Sequence, residues 1–118
     1  MAPVSNNSIK EVSEMLLKFR EERDWAQFHS PKNLAISISL EAAELLEHFQ
    51  WQKENEKLTF KEKHEVSEEL ADIFNYLIML AGDLEIDIIE SAKKKIKENG
   101  KKYPVEKSKG SMKKYRDL

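Results

Sequence analysis

Cysteine is absent from this chain, and glycine and proline occur three times each among 118 residues. Without cysteine, disulfides and thiolate chemistry are both excluded, and a reducing cytoplasm is the compatible compartment. No apolar run approaches the roughly 20 residues of a membrane span, and the N-terminus lacks the basic and apolar regions of a signal peptide. An excess of one charge is missing too. The 20 Lys/Arg nearly balance 22 Asp/Glu, and a net charge of −2 gives no general reason to expect nucleic acid as a partner. The expectation is a cytoplasmic protein that engages neither membrane nor nucleic acid.

What is present reads as helix. Charged residues make up 36% of the chain and hydrophobic ones 40%, rich in Glu, Lys, Leu, Ala and Ile, and strand-type alternation is nowhere sustained. The length suits one all-α domain with a four-helix, bundle-like core. Residues 1–7 read as a loose leader, 8–100 as the helical domain and 101–118 as a basic tail packing on or near the functional site. That tail balances to +5, which leaves −7 on the remainder.

Ser8-Ile9-Lys10-Glu11 has the form of a capping box and opens a first helix to about Arg23. Asp24 to His29 lacks periodicity and is expected to be a loop. Ser30-Pro31 starts a second helix to about Trp51, and Thr59-Phe60-Lys61-Glu62 opens a third to about Ala81, with Gly82-Asp83 as the break. Asp87 opens a fourth with Ile89, Ala92 and Ile96 inward, which Gly100 caps and Tyr103-Pro104 terminates.

The second and third helices carry the same anomaly. Glu41-Ala-Ala-Glu44 and Glu69-Leu-Ala-Asp72 each place two carboxylates side by side on one helix face. Leu34, Ile38 and Leu45 flank Glu41 at core spacing, as Val66, Ile73 and Leu77 flank Glu69. Each leading carboxylate thus falls inside the stripe that should face the core, where it needs a cation or a donor. The stripes supply no Lys or Arg. One acidic pair is expected by chance in so acidic a helical chain; two pairs in the same register point to a divalent metal. All-oxygen ligation favours Mg²⁺ or Mn²⁺ over zinc, and such a site commonly takes a phosphorylated substrate.

Glu47 on a neighbouring face could orient a water, as could Glu65 and Glu68, although all three also fit a solvated acidic face. His48 and His64 read as surface or interface residues. Trp25, Phe28, Trp51 and Tyr76 would suit stacking on a nucleobase, and equally suit ordinary packing. Ile36, Leu40 and Ala43 on the second helix, with Ala71, Phe74 and Ile78 on the third, add apolar surface that four short helices cannot bury. Self-association through these two helices is the expected outlet.

This acidic set resembles that of the all-α nucleotide pyrophosphohydrolases of the MazG-like superfamily. The resemblance extends through Arg23-Asp24-Trp25-Ala26-Gln27-Phe28-His29, Phe49-Gln50-Trp51, Tyr76 and Lys102-Tyr103-Pro104-Val105, and is strongest to the dCTP pyrophosphatase branch. It implies cleavage of a nucleoside triphosphate, dCTP or another dNTP, to the monophosphate and pyrophosphate. By that match Glu41, Glu44, Glu69 and Asp72 are the Mg²⁺ ligands. Trp25, Ala26, Gln27, Phe28, His29, Trp51 and Tyr76 line the nucleotide pocket, and Lys95 and Asn99 lie near the phosphates. It also implies a homodimer or homotetramer. One position departs: vertebrate-type members carry a substrate-contacting His in the first helix, near where this chain has Leu16. The rival readings are a helical interaction module with an acidic face, and a phosphatase or dUTP-type hydrolase on the same scaffold.

Overall fold

A computed structural model describes residues 6–118, with side chains from Ile9 onward. Among the described residues there is helix and no strand. The chain divides into two compact units, one ending at Glu85 and the other spanning Ile86–Leu118. The fourth helix falls in the second of these units.

The first unit holds α1 (Asn6–Glu22), a 3₁₀ turn (Ala26–Phe28), α2 (Pro31–Glu47) and α3 (Phe60–Asp83). Local chemistry sets most of the boundaries. Ser30 caps α2 by accepting from the Asn33 N–H at 3.1 Å, and Pro31 supplies the first helical residue. Thr59 and Glu62 form the expected capping box at the start of α3. α1 already includes Asn6, so Ser8 lies within the helix, and residues 1–5 of the expected leader lie outside the described residues.

Three helix ends depart from expectation, each for its own local reason. α2 stops at Glu47, and the chain continues through the short-range bonds His48 N–H to Leu45 C=O and Phe49 N–H to Leu46 C=O. Trp51 therefore sits in a turn, 85% exposed, and does not end the helix. α3 runs through Gly82 to Asp83, and the left-handed residue that turns the chain is Glu85 (φ 57°). Asp24, also left-handed (φ 53°), turns the chain after α1.

α3 packs against both α2 and α1, and its buried residues Val66, Ile78 and Ala81 join Leu34 of α2 as the core. Ile78 is buried because it lies with Leu16 and Leu17 of α1, whereas Leu77, placed in the core stripe by spacing, is 40% exposed. The apolar stripe thus rotates along α3 from the α2 side to the α1 side. Arg20 is buried as well, and its Nη1 and Nη2 each donate to an Asp83 carboxylate oxygen at 2.8 Å. This bidentate pair ties α1 to the end of α3 and holds the Asp83 carboxyl below its ordinary range. Ile36, Leu40 and Phe74 remain exposed.

The second unit consists of α4 (Ile88–Lys102), α5 (Val105–Ser108) and a 3₁₀ turn (Tyr115–Asp117). Asp87 caps α4 by accepting from the Glu90 N–H at 3.1 Å. Gly100 does not cap it: the helix passes through Gly100 and ends at Tyr103, whose backbone Pro104 biases away from helix. The Tyr103 and Tyr115 rings meet edge to face at 6.2 Å, with the Lys102 ammonium 5.0 Å from the Tyr115 ring centre. Ile89 and Ile96, expected inward, are exposed. No described helix is long and apolar enough to cross a membrane.

Candidate metal centre and adjoining cleft

α2 and α3 run antiparallel: Glu41 lies against Glu69 and Asp72, while His48, two turns later, lies against Glu65 and Glu69. Opposed helices bring the two acidic pairs together across one seam. Glu41, Glu69 and Asp72 each present a carboxylate oxygen within 4.8 Å of the others. Glu41 and Glu69 are half-buried, and each has an Oε2 atom that is buried with no hydrogen-bond partner. Orphaned carboxylate oxygens of this kind are costly unless a cation meets them.

Burial is the largest influence on Glu41 and pushes its carboxyl up to about 7. Hydrogen-bonding contact with Glu69 and then Glu44 adds to this, followed by the charges of Glu44 and Asp72. Among the described residues no Lys or Arg pairs with these carboxylates, since Arg20 is held by Asp83. The His48 imidazole lies beside the group, its Nε2 4.0 Å from Glu69 Oε1 and its Nδ1 3.9 Å from Glu65 Oε2. A hard, oxygen-seeking divalent cation fits the group by charge, donor type and unmet lone pairs.

Glu44 stands outside the three-oxygen group; it is exposed one turn along α2 and acts on Glu41 from the side. Glu47 is further out, in a separate shallow cleft of 210 Å³ with His48, Trp51 and Glu62. Glu68 is exposed and pairs with His64 at 2.9 Å, as a solvated face would.

Asp72 also forms part of a second cleft, of 340 Å³, which runs along α3 past Asn75, Tyr76 and Met79. Leu16, Phe19 and Arg20 of α1, with Trp25 and His29, complete its lining. The left-handed Asp24 and the 3₁₀ turn bring Trp25 into place, edge-on to Phe19 at 5.5 Å and to His29 at 6.4 Å. Size and lining, mostly apolar and aromatic with a few polar groups, are those of a small-molecule site.

Of the residues expected to line a nucleotide pocket, Trp25, His29 and Tyr76 meet here. Ala26 and Phe28 do not line the cleft, and Gln27 braces the preceding turn by donating to Asp24. Trp51 lies with Glu47 in the other cleft. Lys95 and Asn99 are exposed on α4, in the second unit; Lys95 Nζ lies 4.0 Å from Glu98, and the Asn99 carbonyl accepts from Tyr103. Phe19, Arg20, Asn75 and Met79 line the cleft without having been expected there from sequence. For Asn75 and Met79 a signal exists, because they follow Asp72 at three and seven residues on the same helical face.

The family model described as MazG-like matches residues 36–118. The dCTP pyrophosphatase 1 of Bos taurus is 36% identical over 118 residues, covering 97% of this chain and 70% of that protein. The Homo sapiens protein of the same name is 32% identical over 115 residues, covering 94% of this chain and 68% of its own length. Among solved structures, a pyrophosphatase from Archaeoglobus fulgidus superposes with a TM-score of 0.76 at 42% identity, over 88% of this chain and 99% of that one.

Proposed function

The chain belongs to the MazG-like family, and on that premise we propose that it is a Mg²⁺-dependent nucleotide pyrophosphohydrolase, converting a dNTP such as dCTP to the monophosphate and pyrophosphate. The observation that carries this reading is the convergence of Glu41, Glu69 and Asp72 within 4.8 Å, with two buried oxygens unpaired and Asp72 also lining an aromatic cleft.

Glu41, Glu69 and Asp72 would hold the cation, with Glu44 beside them as a further carboxylate. A divalent ion there supplies charge neutralisation for phosphate oxygens and acidifies water. Glu41, whose carboxyl burial pushes up to about 7, would have to meet a cation as the carboxylate, its proton passing to solvent. Trp25 and Tyr76 present ring faces and edges to the nucleoside, keeping it oriented and partly dry. Lys95 and Asn99 are assigned to the phosphates by resemblance alone, as is Trp51 to the nucleotide. Exposed Ile36, Leu40 and Phe74 support self-association through α2 and α3 as a homodimer or homotetramer. The absence of cysteine and of any apolar run long enough for a span is compatible with cytoplasmic nucleotide pools as the setting.

A panel of canonical and modified dNTPs with Mg²⁺, read as pyrophosphate release, tests the reading. Turnover that is lost in Glu69→Gln and Asp72→Asn with helical content preserved supports it. Full activity in either variant, or with excess EDTA, overturns it.

A further inference from the structure

The aromatic cleft takes four residues from one face of α3: Asp72, Asn75, Tyr76 and Met79, at the i, i+3, i+4 and i+7 positions. Asn75 and Tyr76 therefore stand about one helical turn, roughly 5 Å, beyond Asp72, and Met79 a turn further. Of the polar lining, Asp72 belongs to the acidic group, and the terminal nitrogens of Arg20 are held by Asp83 at 2.8 Å. Asn75 has no such engagement. It is half-buried, and among the described residues no hydrogen bond occupies its amide. Asparagine is also a weak helix former, set here between Ile73-Phe74 and Leu77-Ile78 in the middle of α3. An amide in a mostly apolar cleft loses its water when the cleft fills, which costs free energy unless the occupant bonds to it.

We propose that Asn75 binds the sugar of the nucleotide, its amide meeting the 3′-hydroxyl, so that the site distinguishes nucleotides that carry this hydroxyl from those that lack it. The proposal rests on the hydrolytic reading for where the phosphates lie. With the α-phosphate at the acidic group, the pentose is the next portion of the molecule, and Asn75 stands on the next turn of the helix. The pentose of a dNTP carries one hydroxyl, the 3′. A hydroxyl both donates and accepts, as a primary amide does, so the two pair whichever way the amide is turned. Trp25 and Tyr76, with their rings in the same cleft, are left to the base. Replacing the hydroxyl by hydrogen leaves the amide unpaired in a filled cleft, a larger penalty than the loss of an apolar contact of the same size.

The test is calorimetric binding of dCMP, dTMP, dGMP and dAMP to the full chain with Mg²⁺, each beside its 2′,3′-dideoxy counterpart. For every base that binds, the deoxynucleotide is expected to bind about fivefold or more tightly than its dideoxy partner. In Asn75→Leu that ratio falls to within about twofold of one, because affinity for the deoxynucleotide drops while affinity for the dideoxynucleotide holds. Asn75→Ala, which favours helix, gives the same collapse and serves if the leucine variant does not fold. For any dNTP that is hydrolysed, kcat/KM against its dideoxy analogue shows the same ratio and the same collapse. A wild-type chain indifferent to the hydroxyl, or variants that keep the wild-type ratio, overturn the proposal; so do variants that change the order of the bases and leave the hydroxyl ratio intact. If dNTPs yield no pyrophosphate while the ratio and its collapse are observed, the hydrolytic reading fails and sugar recognition stands. If dNTPs are hydrolysed and the hydroxyl makes no difference, sugar recognition fails and the hydrolytic reading stands. A chain that neither binds nor hydrolyses any of these nucleotides contradicts both.

Discussion

Glu41 and Glu69 face each other across the antiparallel α2–α3 seam, each with one buried carboxylate oxygen and no donor to share. Two such groups cannot both ionise comfortably, and burial already holds the Glu41 carboxyl up at about 7. Replacing Glu41 by Gln keeps the shape and removes the charge. Glu41→Gln is therefore expected to stabilise the metal-free chain above neutral pH, by on the order of 1 kcal/mol once relaxation and partial exposure are allowed for. The same change abolishes metal binding and turnover. Thermal melts at alkaline pH, paired with an activity assay, check both halves.

The pH profile follows from the same group. Between pH 4.5 and about 7 the folded chain retains a proton at Glu41 that the unfolded chain has released. Its contribution to metal-free stability therefore falls as pH rises through that window. Asp83 works in the opposite sense: its carboxyl is held down by Arg20, so its contribution is present above the ordinary carboxylate range and lost as pH falls through the lowered value. Cation affinity rises with pH while Glu41 sheds its proton, then levels off above about 7. Melting curves with and without Mg²⁺ at stepped pH should diverge across this window; a constant metal-induced shift would contradict the assignment of Glu41.

The Arg20–Asp83 pair predicts an asymmetry. Arg20→Met strands a partly buried carboxylate and should cost about 3 kcal/mol, while Arg20→Leu/Asp83→Leu removes both charges and should cost much less. Denaturant midpoints of the two variants against wild type measure the difference.

The capping box of α3 gives a control remote from the chemistry. Thr59→Ala removes the hydroxyl that accepts from the Glu62 N–H at 3.1 Å and should cost about 1 kcal/mol. Melting temperature should drop by several degrees with cation affinity intact.

Legibility from sequence followed locality. Ser30-Pro31, Thr59 with Glu62, and Asp87 with Glu90 were readable because each cap spans a few residues. The acidic group was readable because an i,i+3 pair inside an apolar stripe reports its own misplacement, and antiparallel pairing of consecutive helices does the rest. Arg20 and Asp83 are 63 residues apart and each sits among ordinary charged neighbours, so nothing local announces their pairing. Leu77 and Ile78 exchanged roles because α1 covers the far half of α3, a tertiary fact that period alone does not carry. Gly82 and Gly100 misled as helix ends: both are accommodated within helices, and the terminations belong to Glu85 and Pro104.

Phosphorus NMR of a dNTP incubated with the chain and Mg²⁺ tests the central claim most directly. Equal amounts of nucleoside monophosphate and pyrophosphate are predicted, arrested by EDTA and absent in Glu69→Gln. Release of inorganic phosphate as the primary product, or pyrophosphate that continues to form in excess EDTA, would contradict it.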